Sequence, residues 1–331
     1  MADRTQSVAP WRIFDEIPVM DVLSDILDAL RLRGTLYFST EFAAPWGIRI
    51  PSFERVARFH LLVRGSCWVR VPGETGAERL EAGDLVLVPH GAEHLLSDAP
   101  ERPCRHLVDV VEETGFTGEG ALLYGGDDGG APTRMVCGHF AFDQGFDHLL
   151  LAQLPAALVV RWEEAVRSSP LEQALQFIAR EVHEGKPGHE AVTRRMSEIL
   201  FVQAVRFWTE STEHPTGLMA ALADPGLGRA LAAMHAEPAE GWTLDDLARK
   251  AAMSRTLFAE RFRDIVGQTP YSYLTDWRMQ NARRLLATSS LSLQQIASRV
   301  GYDSAASFSR AFKKAIGSPP GAYRRAAQAE S

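Results

Sequence analysis

The last third of this chain contains one pattern twice, and nothing else in the sequence restricts its fold so tightly. In the first copy Ser254 precedes Leu257, Phe258 and Phe262, with Gly267, Pro270 and Tyr273 after them. In the second, Ser304 precedes Ser307, Phe308 and Phe312, then Gly317, Pro320 and Tyr323, every landmark displaced by 50. Upstream the displacement is 49: Leu244, Leu247 and Ala248 answer to Leu293, Ile296 and Ala297, so the second copy carries one more residue at its turn. Repeats constrain architecture before any other feature. Two copies are too few for a solenoid and the right number for two helix-turn-helix units.

The local chemistry agrees. Thr243 with Asp246 and Ser292 with Gln295 place a capping residue and its reciprocal partner three positions apart, ahead of apolar residues at helical spacing. A turn follows at Ala252-Met253 and at Gly301-Tyr302-Asp303. Ser254 and Ser304 then cap second helices that end at Gly267 and Gly317. These helices are expected to bury Leu257, Phe258, Phe262, Phe308 and Phe312. Ser254, Arg255, Thr256, Ala259, Glu260 and Arg263 in one copy, and Ser304, Ala305, Ala306, Ser309, Arg310, Lys313 and Lys314 in the other, are the candidates to meet DNA in the major groove. Between the copies, Tyr271 to Leu286 reads as a rigid connecting helix. It would hold the reading helices roughly 34 Å apart, one DNA turn.

Charge supports this division. Residues 227–331 hold 15 Lys and Arg against 9 Asp and Glu, whereas the rest of the chain holds 20 against 33, so the total of −7 conceals a basic end on an acidic body. Phosphate neutralisation supplies most sequence-independent affinity for DNA, and a locally basic module matters more than the net value.

The stretch from Thr243 to Tyr323 resembles the DNA-binding domain of AraC/XylS-type transcription regulators. The matching residues are Leu247-Ala248, Met253-Ser254-Arg255, Arg261-Phe262, Gly267, Pro270, Arg278, Ala282, Leu285-Leu286, Ile296-Ala297, Val300-Gly301-Tyr302, Phe308, Arg310, Phe312-Lys313, Gly317, Pro320 and Tyr323-Arg324. The resemblance implies base contacts from Thr256, Ala259 and Glu260 and from Ala305, Ala306 and Arg310. Alanine can touch only a thymine methyl, so Arg255, Glu260, Arg310 and Lys313 are the stronger candidates. Glu260 either accepts from a cytosine amine or pairs with Arg263 or Arg261.

Upstream, residues from about 35 to 142 read as short strands: Val56 to Val63, Cys67 to Val71, Leu85 to Val88, His106 to Val111 and Arg134 to Phe142. Turns at Pro72-Gly73-Glu74-Thr75-Gly76 and Ala82-Gly83-Asp84 separate them, which suggests a sandwich or small barrel. Ahead of them Val22, Leu23, Ile26, Leu27 and Leu30 form a helical stripe expected to pack on that barrel. Gly83-x5-Pro89-x-Gly91-x2-His94 is similar to the second motif of the cupin jelly-roll fold. His60 stands in a degenerate first motif, with Leu62 at the place of its second histidine, and Asp98 stands where the second motif usually has Asn. With Ala44-Pro45-Trp46-Gly47 and Cys137-Gly138, the stretch resembles the cupin-type sensor module of one AraC subgroup.

His60, His94 and Cys137 are the candidate metal ligands, a set that would suit zinc or another divalent metal. The alternative reading is isolated histidines and a buried cysteine of a strand-rich core, and Cys104 and His106 offer further combinations. Trp46, His60, Trp68 and His94 are candidate lining residues for an organic effector. No Gly-x-Ser-x-Gly elbow, Walker loop or His-Glu-x-x-His occurs, and Asp127-Asp128-Gly129-Gly130 reads as a solvated acidic turn. Cys67, Cys104 and Cys137 give no disulfide framework. Met1 to Asp15 lacks an apolar core of the signal-peptide kind, and no apolar run approaches the ~18 residues a membrane span needs, so a cytoplasmic protein is expected.

The middle is helical. Leu171, Leu175, Ile178, Ala179 and Val182 share a face, and Gly185-Lys186-Pro187-Gly188 ends it. A helix from Glu190 to Thr209 follows, expected to turn Met196, Ile199, Leu200, Gln203, Ala204 and Phe207 inward. Its apolar run Ile199-Leu200-Phe201-Val202 is wide enough for two faces, one of which would dimerise two chains. The expected architecture is multidomain. It comprises an all-β cupin-like jelly-roll barrel over residues 1–150, a helical linker and dimerisation segment over 151–225, and an all-α double helix-turn-helix over 226–331. Expected partners are double-stranded promoter DNA, an unidentified small-molecule effector, a second copy of the chain, and RNA polymerase; no enzymatic turnover is expected.

Overall fold

The computed structural model describes residues 21–30, 33–53, 56–73, 76–118, 120–126, 132–142, 149–162, 170–184, 186–212 and 216–329. The turn Asp127-Asp128-Gly129-Gly130, the segment Met1 to Asp15 and the middle of the Pro72 to Gly76 turn lie outside them. Contacts divide the chain into two compact units. Residues 27–223 with 262–268 form one; 224–261 and 269–331 form the other, together with the described residues before Leu27.

The first unit is a sandwich of two sheets. One runs in the order β11(Leu158–Val160), β6(Leu85–Val88), β3(Val56–Arg64), β10(Thr133–Ala141), β1(Arg33–Ala43), β9(Ala121–Gly125). The other runs β5(Glu78–Glu81), β4(Ser66–Arg70), β7(His94–Ser97), β2(Gly47–Ile50), β8(Arg105–His106). Both orders are open at their ends, so the expected barrel is a jelly-roll sandwich instead. Alternate side chains from each sheet, including Phe42, Ile48, Leu62, Val69, Val86 and Met135, meet in the core between them.

His106 to Val111 is not a strand. Only Arg105 and His106 pair, and α2(Leu107–Thr114) starts where the His106 side chain accepts the Val108 amide. Gly115, at φ 63°, ends it. The run of valines reads as β by propensity, yet a cap, Asp109 in the first turn and a C-terminal glycine outweigh it.

The glycines of the cupin-like motif serve close packing. Gly83 has φ 100°, and a Cβ there would lie 2.8 Å from the Trp162 ring; at Gly91 a Cβ would meet the Phe53 carbonyl at 2.1 Å. Asp84 beside Gly83 is 4% exposed and accepts from the amides of Glu81 and Trp162 and from Arg161. Asp98 accepts from the Trp46 amide at 3.2 Å and from Arg102.

Beyond α3(Leu149–Gln153), helices α4(Pro170–Glu184) and α5(His189–Ser211) pack on each other, and α5 lies across β1. There Gly34 lets the helix come close: a Cβ at that position would sit 2.2 Å from Ser197 Oγ. The buried face of α5 is therefore Thr193, Ser197, Leu200, Phe201, Ala204 and Val205. Of the residues expected inward, Leu200 and Ala204 are buried, whereas Ile199 is 45% exposed and Met196, Gln203 and Phe207 are half-buried. The hydroxyls of Thr193 and Ser197 donate to the carbonyls of His189 and Arg194 in their own helix, so their burial leaves nothing unsatisfied.

After α6(Gly217–Ala223), the second unit begins at Asp224, which caps α7(Pro225–Ala236) through its Oδ1, with Pro225 in the first turn where its missing N–H costs nothing. The N-terminal half of α1(Val22–Leu30) belongs to this unit too: Asp25 Oδ2 lies 3.5 Å from His235 Nδ1 on α7, so the stripe is not simply a cover for the sandwich.

Candidate nucleic-acid interface and the cavity of the sandwich

The repeat folds as two helix pairs, α8(Leu244–Ala251) with α9(Arg255–Val266) and α11(Leu293–Arg299) with α12(Ala305–Ile316), joined by α10(Pro270–Thr288). Both first helices carry full capping boxes, Thr243 with Asp246 and Ser292 with Gln295. Ser254 Oγ accepts the Leu257 amide at 3.3 Å and Ser304 Oγ that of Ser307 at 3.1 Å. Gly267 and Gly317, at φ 87° and 81°, donate back to Arg263 and Lys313. The second copy closes on Met279, Ala282, Leu286, Ile296, Phe308 and Phe312. α13(Pro320–Ala329) completes the unit, and its Tyr323 hydroxyl accepts from Arg283 at 3.2 Å.

One tie recurs in both copies at the same place. Gln294 Oε1 accepts the Ala305 amide at 3.0 Å, and at the matching positions Arg255 donates to Asp245 at 3.4 Å. Each fixes the start of a reading helix to the helix before it. The Arg255 pair is exposed on both sides, 65% and 59%, and such a pair contributes at most about 1 kcal/mol.

The other candidate reading residues present as follows. Thr256, Glu260, Arg263, Ala306, Arg310, Lys313 and Lys314 are exposed, while Ala259, Ala305 and Ser309 are half-buried. Leu257, expected in the core, is 50% exposed between Thr256 and Glu260. Phe258 alone of that pair turns inward. Arg261 is not Glu260's partner: its guanidinium holds Asp224 Oδ2, tying α9 to the cap of α7. Burial alone would raise the Asp224 carboxyl, but the Leu227 amide, Arg261 and the Gly226 amide together hold it below its ordinary value.

In the sandwich, register places His60 on β3 opposite Cys137 on β10, and His94 opens β7 in the facing sheet. The three form one directional chain. His94 Nδ1 lies 2.8 Å from the Ala92 carbonyl, an acceptor, so Nδ1 holds the proton. Its Nε2 then presents a lone pair to His60 Nε2 at 2.8 Å, which must donate. That leaves His60 Nδ1 to accept from the Cys137 thiol at 3.1 Å. Every group in the chain is neutral, as burial favours. Burial, His94 and Arg58 lower His60; burial brings His94 down to about 4; burial and the neighbouring Cys67 raise Cys137.

This arrangement does not make a zinc set. Two nitrogens bound to one tetrahedral zinc stand about 3.3 Å apart, and the thiol would have to share that point, whereas Cys137 lies on the opposite ring nitrogen of His60. Among the described residues no group of three or more His, Cys, Asp or Glu side chains could hold a metal ion.

A cavity of about 270 Å³ opens inside the same sheets, with Phe42, Ile48, Leu122, Met135, His60 and Cys137 in its wall. Arg58 is there as well, a residue that no local sequence pattern marks. Of the residues expected to line an effector site, His60 does so. Trp46 is 2% exposed with its ring 4.8 Å from Phe42, Trp68 is half-buried on β4, and His94 stands behind His60, none of these three being among the described lining residues.

Comparison with known proteins follows the same division. The family model described as "Cupin" matches residues 21–210, and that described as "Helix-turn-helix domain" matches residues 247–326. The chain is similar to an AraC-like transcription regulator of Streptomyces lividans, 33% identical over 92% of this chain and 98% of the relative. It is similar as well to the HTH-type transcriptional regulator AlkR of Acinetobacter baylyi, 31% identical over 92% and 99%. Among solved structures, the DNA-binding domain of AdpA in complex with a target DNA covers 32% of this chain and 96% of that one at 36% identity, with a TM-score of 0.31.

Proposed function

This chain belongs to the AraC-type transcription regulators, a cupin module ahead of a double helix-turn-helix that binds DNA, and from that premise we propose that it is a cytoplasmic, ligand-controlled dimer. The observation that carries the reading is a capped, twice-repeated reading helix in one unit and an internal cavity in the other. The ligand acts by shifting a pre-existing equilibrium between states of the chain that hold DNA with different affinity, and it shifts that equilibrium only as far as its own affinities for the states differ. RNA polymerase is the further partner of the DNA-bound form. The cupin module does no chemistry in this reading: His60, His94 and Cys137 are occupied with one another.

α10, 19 residues and about 28 Å long, is the spacer that sets the two reading helices on successive major-groove faces. Arg310, exposed on α12, is the foremost base reader. Footprinting of the full chain on DNA around its own coding region tests this, with two protected stretches about 10 base pairs apart per chain as the expected result. On the site so found, Arg310→Ala weakens specific binding by about 1–3 kcal/mol and leaves bulk competitor binding nearly unchanged. An equal loss on every duplex would reassign Arg310 to a phosphate.

A further inference from the structure

The two reading helices carry opposite charges at the same place. Glu260 on α9 and Arg310 on α12 stand 50 residues apart, the displacement that relates the two copies, so they fill one position of one pattern. Both are exposed. One turn on, Asp264 answers to Lys314 and repeats the contrast, whereas Arg263 and Lys313 agree in sign. Among the described residues neither the Glu260 nor the Arg310 side chain enters an ion pair or a hydrogen bond; Arg261, next to Glu260 in the chain, is held by Asp224. A carboxylate without a partner, on a face that meets a polyanion, is repelled by the phosphates around it, and it weakens binding unless a base compensates. Base edges decide which base can. A carboxylate only accepts, and in the major groove cytosine presents an amine donor, adenine an amine beside the acceptor N7, and guanine two acceptors. Glu260 therefore fits cytosine N4 and is turned away by guanine. Arg310 only donates, so it fits guanine O6 and N7 and is turned away by the cytosine amine.

We propose that Glu260 selects cytosine beneath the first reading helix and that, with Arg310, it fixes the register of the chain on its operator. A chain displaced by one DNA turn puts α9 where α12 belongs, and Glu260 then meets guanine, acceptor against acceptor. Glu260 acts by exclusion as much as by attraction. The assignment deepens, and rests on, the reading of the repeat as two helices in successive major-groove faces of one operator.

The test uses the full chain and its footprinted operator, with each base pair beneath the first reading helix replaced in turn by the other three. Affinities are read by fluorescence anisotropy on these duplexes and on bulk DNA. The wild type prefers cytosine over guanine at one position by about tenfold. Glu260→Gln moves the preference at that position to adenine, whose N6 and N7 an amide matches, and binds bulk DNA tighter because a negative charge is gone. Asp264→Asn, beyond the N-terminal half of the helix that faces base edges, tightens bulk binding and leaves base preference as it was. An operator with the two contacted base pairs exchanged binds the wild type about tenfold more weakly, and the double variant Glu260→Arg with Arg310→Glu prefers that exchanged operator to the native one. Glu260→Gln that changes every affinity by one common factor, as Asp264→Asn does, overturns the proposal. A protected operator with no cytosine preference beneath α9 removes this inference alone. A chain that protects no site removes the operator reading and this inference with it.

Discussion

His94 is the residue at which pH acts most directly on the sandwich. It is wholly buried, its Nδ1–H is committed to Ala92, and its Nε2 is needed as an acceptor by His60. A second proton on His94 would put two donors nose to nose at 2.8 Å in a dry core, and one on His60 would turn its Nδ1 into a donor facing the Cys137 thiol at 3.1 Å. Both folded-state values lie below the ordinary 6.5, so as pH falls the unfolded chain takes up protons first. The stabilisation is therefore whole above about 6.5 and drains away as pH falls toward about 4, with His94 alone accounting for about 3 kcal/mol at the bottom of that window. Urea midpoints measured from pH 7.5 to 4 should fall across that range, and His94→Gln should flatten the curve; a wild-type midpoint that stays level would contradict the neutral relay. Backbone conformation gives a second residue-scale test. Ala252 and Gly301 hold matching turn positions at φ 57° and 79°. At Gly301 a Cβ would lie 2.7 Å from the Arg278 guanidinium and 3.0 Å from the Ala239 carbonyl, so Gly301→Ala should cost about 1–3 kcal/mol. Ala252→Gly, relieving strain while adding unfolded-state entropy, should change stability by less than about 1 kcal/mol. Equal effects at the two positions would mean that the turns are not equivalent.

At the scale of elements, Asp224 does two jobs with one carboxylate: Oδ1 caps α7 and Oδ2 receives Arg261 from α9. Its side chain is 11% exposed, so the pair is better shielded than the surface pairs around it. Asp224→Ala should destabilise the DNA-binding unit by about 1–3 kcal/mol, whereas Asp224→Asn, which keeps the cap, should lose about half of that. Thermal melts followed by tryptophan fluorescence would check the order. What could be read in the sequence here is what short-range chemistry decides. Caps, turn glycines and the 3.6-residue spacing lie within a few residues of the structure they specify, and so both helix pairs and the connecting helix were legible. The misreadings are non-local. Leu257 has the type of a core residue, but the face of α9 that is buried is set by what packs on it. On α5 the inner face runs through Thr193 and Ser197 because Gly34, some 160 residues away, admits the helix closely. Arg58 and the cavity escaped notice for the same reason: only the pairing of β3 with β10, and the sheet facing them, bring residues 42, 48, 58, 122 and 135 around one space. His60 and Cys137, by contrast, carry ligand-type side chains that mark them in the sequence, although the structure joins them in a hydrogen-bonded chain.

At the scale of the molecule, the basic C-terminal third provides attraction to DNA and the acidic remainder opposes it, so a single chain has only modest non-specific affinity to spend on finding an operator. Pairing two chains changes this without any new DNA contact, since the second chain's binding becomes intramolecular. In the proposed dimer, α5 would supply the surface for pairing. Opposite its buried face it presents Val192 and Ile199, 37% and 45% exposed, with Met196, Gln203 and Phe207 half-buried between and beyond them, a seam spaced by three and four residues. Its inner face is already engaged by β1 and α4, so an outer apolar seam is surplus to the fold of one chain. Val192→Glu combined with Ile199→Glu would place like charges across the symmetric contact of the proposed dimer. The double variant should sediment at half the mass of the wild type and lose about tenfold to a hundredfold in operator affinity, with its thermal midpoint nearly unchanged because both side chains are exposed. Leu200→Glu, one residue away on the buried face, should instead unfold the sandwich unit at low temperature. A double variant that still sediments as a dimer would remove α5 from the interface, and one that is monomeric yet binds its operator undiminished would remove dimerisation from the mechanism.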